Sequence, residues 1–185
     1  MTTTNIPSRV AHDLGLAAWF GGTLANAVAL NRAAGETTSD SSAGRVANAG
    51  WNAWTPINAA AIGAHLVGSV GQLQGNKERL FSQKGVASMS ITKTVLTVAA
   101  LGVTAYSRVL GQKVAADHSV PVESGTEPSA STPDDVASAQ KQLKLLQWVI
   151  PALTGALVVV TAYAGEQQRA TAVKVGVLDR LNPLS

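Results

Sequence analysis

Residues 145–165 read LLQWVIPALTGALVVVTAYAG, an apolar run closed by Lys144 on one side and Glu166 on the other. A helix needs about 20 such residues to cross the hydrocarbon core of a bilayer, so this run predicts a membrane-spanning helix. Three more gaps in charge lie upstream. Residues 14–31 (LGLAAWFGGTLANAVALN) fall between Asp13 and Arg32. A longer charge-free run between Arg45 and Lys77 contains TPINAAAIGAHLVGSVGQLQ at 55–74. Residues 88–110 (SMSITKTVLTVAALGVTAYSRVL) are broken only by Lys93 and Arg108. Alanine and glycine are poor strand residues and no period-two alternation appears, so the segments predict helices.

Composition points the same way. The 185 residues are 46% hydrophobic and only 14% charged, against about 25% charged in soluble domains. That leaves too little charge to coat a water-facing surface. The predicted fold is all-α, a four-helix transmembrane bundle forming one integral membrane domain over residues 1–185. A soluble helical bundle is the alternative, favoured by the mildly apolar second segment.

Several function classes drop out. With no cysteine, disulfides, thiolate metal sites and cysteine nucleophiles are excluded. A net charge of +3 without a concentrated basic patch argues against a nucleic-acid partner. No HExxH, P-loop, GxSxG or strand-borne GxGxxG is present, so the chain is read as no enzyme. No carboxylate sits in mid-span, where a proton-coupled exporter would need one; Asp13 and Glu166 lie at span ends.

The connections are small and polar. Residues 35–50 (GETTSDSSAGRVANAG) and 111–131, the latter holding His118, are predicted exposed loops. Thr132-Pro133-Asp134-Asp135 writes a helix start, and Thr55-Pro56 repeats the signal for the second helix. With four spans, Arg9, Lys77, Arg79, Lys84, Arg169, Lys174 and Arg180 share one side. Arg32, Arg45, Lys113, Lys141 and Lys144 share the other. The bias predicts a multi-pass protein of the plasma (inner) membrane with both termini cytoplasmic, 170–185 forming a cytoplasmic C-terminal tail. Trp51, Trp54, Tyr106 and Trp148 then fall at the outer headgroup level, where amphipathic rings belong. Ala27-Val28-Ala29 has the form of a signal-peptide cleavage site, but the leader carries one arginine and an acidic residue, so the segment is read as a retained span.

Polar residues recur inside the spans with nearly two-turn spacing. Asn58, His65 and Gln72 do so in the second, Gln147, Thr154 and Thr161 in the fourth, His12, Trp19 and Asn26 in the first; Lys93, Thr97, Ala100, Thr104 and Ser107 continue the pattern in the third. Lipid penalises such groups, so the stripes are expected to face one another, either hydrogen-bonding between helices or lining a polar cavity or cofactor slot along the axis. Asn26, Asn58, Arg108 and Gln147 would form an outer layer, and His12, Gln72, Lys93 and Thr161 an inner one, with Lys93 able to meet Asp13. Gly21, Gly22, Ala25, Ala29, Ala60, Ala64, Gly68, Gly71, Ala152 and Ala156 are expected to let backbones approach closely.

His65, near the centre of its charge-free run, is the candidate cofactor-binding residue, with His12 second. By depth, Gly22 and Thr154 are expected beside His65, and His12 near the inner surface, away from it. The expected function is a small module for binding or assembly, whose surroundings are the lipid bilayer and whose partners are membrane proteins or a second copy in a homo-oligomer. One alternative is a haem- or metal-binding redox protein through His65 and His12. Another is a small transporter or permeability factor.

The pattern His12, six residues, Trp19, Phe20, Gly21 resembles the first span of bacterial copper-resistance D family membrane proteins and of the four-span family of transmembrane protein 205. Tyr106-Ser107-Arg108 closing the third span, followed by a hydrophilic loop and a last span, is similar to the latter. WNAWTPIN at 51–58 and LQWVIPALTGALVV at 146–159 resemble uncharacterised actinobacterial membrane proteins. The resemblance implies a four-helix membrane fold with links to copper handling. The soft ligands that select copper(I) are scarce here: no cysteine, and only Met1 and Met89 as methionines.

Overall fold

The computed structural model describes residues 5–37, 39–75, 86–116 and 120–166. Their order is α1 (Ile6–Ala25), α2 (Asp40–Gly75), α3 (Val86–Ala115) and α4 (Asp134–Glu166). Pro7 lies in the first turn of α1, where its missing N–H costs nothing. Beyond Ala25 the chain continues through a π-helical stretch, Asn26–Leu30, and a final α-turn, Asn31–Gly35. Among the described residues the sole β feature is a lone bridge between Val122 and Pro128. The chain is all-helical, and α3 and α4 are long and apolar enough to cross a membrane.

Two of the predicted loops are shorter and less exposed than their composition implies. Residues 40–50 belong to α2, with Ala43 and Ala47 buried. The helix starts where the Ser39 hydroxyl accepts the Ser42 N–H. Pro56 therefore stands inside a helix instead of beginning one. The Thr55 hydroxyl donates to the Trp51 carbonyl at 2.8 Å, a bond back into the preceding turn, and the helix carries on through the proline. Residues 111–115 likewise belong to α3.

The remaining loop is a cap. The Glu123 and Ser124 N–H groups both donate to the Glu127 carbonyl, at 2.9 and 3.2 Å. The fully buried Gln140 amide donates to the Ser124 carbonyl at 3.2 Å, and Lys144 pairs with Glu127 at 2.5 Å. Val122 packs towards Gly44, and Gly125 lies against Asn31 and Ala47. The loop thus covers the end of the molecule where α1 finishes and α2 begins, hereafter the cap end. α4 begins at Asp134, with Asp134 and Asp135 in its first turn. His118 and the tail at 170–185 lie outside the described residues, as do Lys77, Arg79, Lys84, Arg169, Lys174 and Arg180.

Helix contacts follow the small residues. α1 and α2 run antiparallel with backbones in direct apposition: Gly15 faces the Ala61 carbonyl and His65 N–H, and Gly68 faces Ser8 and His12. Gly22 receives the Trp54 ring, and Gly71 meets Ser8. Gly21 instead has nothing near it among the described residues, and Ala25, Ala29, Ala60 and Ala152 are exposed. One residue turns a helix by about 100°, so Gly15 and Gly22 share the α2 face and Gly21 misses it. α3 and α4 form the second pair, around Leu110, Val114, Val136 and Ala139. α1 against α4 joins the pairs, with Gly155 beside the Phe20 ring. α2 and α3 scarcely touch, which leaves a lateral seam between them.

Much of the outer surface is apolar, while several polar side chains join Leu16, Trp19 and Leu157 inside. Exposed large apolar residues include Ile91, Val95, Val98, Leu145 and Val159, whereas His12, His65, Asn31, Gln140 and Thr154 are buried.

Candidate functional site: two cavities along the α2/α3 seam

The α1/α2 apposition decides where the histidines go. With Gly68 against His12 and Gly15 against His65, the two imidazoles stack, centroids 4.4 Å apart at 44°. Trp19 closes on His65 at 6.1 Å. All three side chains are fully buried. The expected separation of His12 from His65 by depth is therefore corrected. α2 extends well beyond its charge-free run at the cap end, so the middle of the run is not the level at which it meets α1.

Their hydrogen bonds fix which nitrogens donate. His65 Nδ1 lies 3.3 Å from the His12 carbonyl; a carbonyl only accepts, so Nδ1 carries the hydrogen. His65 Nε2 lies 3.5 Å from Thr97 Oγ1. His12 Nδ1 donates to Asp13 Oδ1 at 2.7 Å, and its Nε2 has no partner among the described residues. Of the residues expected beside His65, Gly22 is at another level, and Thr154 is buried but bonds within its own helix. Gly22 holds Trp54, and the Thr154 hydroxyl donates to the Ile150 carbonyl of its own helix at 2.8 Å.

Two cavities open along the seam and share Leu101. The cap-end cavity, about 310 Å³, is walled by Trp51, Trp54 and Asn58 of α2 and Thr104, Ser107 and Arg108 of α3. Gln147 and Ile150 of α4 also line it. The far cavity, about 350 Å³, brings together Arg9, Asp13, Gln72, Lys93, Thr97 and Thr161. Arg9 and Asp13 pair across one turn at 3.8 Å. The expected polar interior residues thus divide: Asn58, Arg108 and Gln147 at the cap end, Gln72, Lys93 and Thr161 at the other. Asn26 opens the π-helical stretch and, like Thr154, His12 and His65, lines neither cavity.

Asn31 and Trp54 are the site residues that spacing alone does not pick out. Buried Asn31 donates from Nδ2 to Gln147 Oε1 at 2.8 Å and accepts from Trp51 Nε1 at 3.0 Å, tying α1, α2 and α4 together. It follows the π-helical turn, and that extra residue takes it out of the seven-residue stripe that contains Asn26.

Helix hydroxyls divide into two sets, and the division runs through both cavities, since Thr23 and Thr55 line the cap-end one and Ser69 and Thr94 the far one. Thr23, Thr55, Ser69, Thr94 and Thr154 each donate to the carbonyl four residues back, at 2.7–2.9 Å. Thr104 Oγ1, Ser107 Oγ and Thr161 Oγ1 make no such bond and have no partner among the described residues. Trp54 Nε1 and Asn58 Oδ1 are likewise buried and unpartnered there. Four of these five atoms belong to residues that line the cap-end cavity, and leaving a buried group unsatisfied costs about 1–3 kcal/mol apiece.

Comparison with family models, curated proteins and solved structures gives no match. The site is read from its own chemistry.

Proposed function

We propose that this chain is a four-span integral protein of the plasma membrane, both termini cytoplasmic, that serves as a non-catalytic binding module with its ligand in the α2/α3 seam. The observation that carries this reading is the pairing of an apolar exterior with unpartnered polar atoms in the seam walls. Lipid offers no hydrogen bonds, so polar side chains in such a bundle face one another or a ligand. Exposed Tyr106 and Trp148 towards the cap end and exposed Tyr163 near the other suit the two interfacial belts of a bilayer. Among the described helices α3 and α4 alone hold a stretch long and apolar enough to span by itself, but the polar groups of α1 and α2 lie largely on the faces they present to each other and to the seam.

A haem or metal reading is less well supported. The His12 and His65 rings contact each other with no porphyrin-sized gap and line neither cavity. Among the described residues no three His, Asp or Glu side chains converge as a metal group. A transport reading has one observation in its favour, that the two cavities approach from opposite ends and share Leu101.

Topology is the first test. Reporter fusions at residues 40 and 125 are expected to read external and one at residue 80 cytoplasmic; opposite signals from 40 and 125 would sink the four-span arrangement. The binding reading is tested by returning a solvent extract of the native membrane to delipidated protein in detergent. The thermal midpoint is expected to rise, and no rise with any fraction of the extract would remove the ligand from the proposal.

A further inference from the structure

We propose that the cap-end cavity receives a single-tailed amphiphile presenting oxygen acceptors, either the carbonyls of a prenylated quinone or the carboxylate of a fatty acid, on an apolar body. This rests on the reading that the seam holds a ligand, and adds which chemistry it recognises.

The wall is rich in donors. Trp54 Nε1 can only donate, and the Thr104 and Ser107 hydroxyls can each do so. All three are buried without a partner among the described residues. Arg108 adds a guanidinium, one nitrogen of which donates to Asn52 Oδ1 at 3.3 Å. Its charge is the only one among the described residues that line this cavity. The far cavity differs in holding a carboxylate, Asp13, which pairs with Arg9 at 3.8 Å. An uncompensated guanidinium beside three donors selects oxygen acceptors, neutral or anionic.

The rest of the cavity describes the ligand's body. Trp51 and Trp54 offer flat aromatic surface, and Ile62, Leu101 and Ile150 an apolar lining. About 310 Å³ is at the low end of small-molecule pockets, which run from roughly 300 to 1,000 Å³. It admits a ring or a short length of chain, and a longer tail leaves through the gap between α2 and α3. Arg108 lies towards the cap end and Leu101 deeper, so the head sits at Arg108 and the body points inward. The unpartnered Asn58 Oδ1 belongs to an amide whose nitrogen provides a further donor when the group is turned.

The test uses the full chain in detergent, with ubiquinone-1 and dodecanoate as probes and tryptophan quenching and thermal midpoint as readouts. The parent is expected to bind at least one probe. Trp54→Phe, and separately the near-isosteric pair Thr104→Val with Ser107→Ala, are each expected to weaken it about fivefold, the equivalent of one hydrogen bond. The Thr104/Ser107 pair keeps the test alive if Trp54→Phe fails to fold. Arg108→Gln separates the sources: a carboxylate loses tenfold or more, a quinone only a few fold. Binding of neither probe by a parent that the membrane extract still stabilises overturns the ligand class and leaves the binding module standing. No stabilisation by the extract either overturns both. Probe binding unchanged in all the variants places the ligand elsewhere and overturns the assignment.

Discussion

Gly15→Val on α1 and Gly68→Val on α2 are each expected to unseat the two helices from one another and to lower the thermal midpoint more than a change at any glycine that faces away from the contact. A Cβ at Gly15 runs into the Ala61 carbonyl and the His65 backbone nitrogen, and one at Gly68 into the backbone of Ser8 and His12. Backbone atoms of a facing helix cannot rotate aside, so the helices must separate. Overpacking a tight contact costs about 1–3 kcal/mol and more when relief is blocked, while a better helix former than glycine returns less than about 1 kcal/mol. The steric term wins. Separation would also pull apart the His12, Trp19 and His65 contacts that lie between those glycines. Gly21 and Gly63 make the control, because no described residue stands near either. Alanine there keeps the propensity gain without the collision, and Gly21→Ala and Gly63→Ala are expected to leave the stability unchanged or raise it by up to about 1 kcal/mol. Thermal unfolding of the set in one detergent decides it. A Gly68→Val protein as stable as the parent, or a Gly21→Ala protein as damaged as Gly68→Val, would show that close approach is not what joins these helices.

The contrast between Gly21 and Gly15 also marks how far the sequence could be read. Charge-free runs located four helices, because a break in charge is a property of composition. α4 begins at Asp134, as its Thr-Pro-Asp-Asp signal indicates, since proline and carboxylates act locally on the first turn. The same local reasoning misplaced the start of α2. Thr-Pro looks alike at the start of a helix and in the middle of one, and the packing of Ala43 and Ala47 under the 120–131 cap is what extends the helix back to Asp40. That cap was illegible as well. Its buried Val122 and Thr126 sit in a stretch of serine, proline and glutamate that reads as solvated.

Register lay beyond reach for the same reason. Residues spaced by seven can be assigned a shared stripe, and His12, His65, Trp19 and Thr154 all point inward. Which member of one stripe meets which of another depends on the glycines that dock, and Gly15 and Ala61 were not among the small residues singled out. Spacing alone left open whether the stripes enclose a cavity or only bond to one another, because the cavities exist where α2 and α3 fail to close.

His65→Ala is expected to cost about 2–4 kcal/mol, since a buried ring is removed and its surroundings collapse only in part. Two terms compete for the cause. One is the hydrogen bond from His65 Nδ1 to the His12 carbonyl at 3.3 Å. In an α-helix that carbonyl also accepts from the residue four ahead, so its loss of His65 leaves no orphan, and the bond contributes at most about 1 kcal/mol. The other is the void between the His12 ring at 4.4 Å and Trp19 at 6.1 Å, where lost dispersion contacts find no replacement. The void dominates. His65→Leu, similar in volume and without the donor, is therefore expected to recover most of the stability, and both variants should insert into the membrane fraction at parent levels. Neither histidine lines a cavity, so both variants should also retain the seam ligand within about twofold, well inside the effect of one hydrogen bond. Thermal midpoints of the three proteins, with absorption spectra recorded beside them, separate the accounts. A leucine variant as damaged as the alanine one would transfer the stability to the hydrogen bond, and a chromophore or metal carried by the parent and lost from both variants would make the histidine pair itself the binding site.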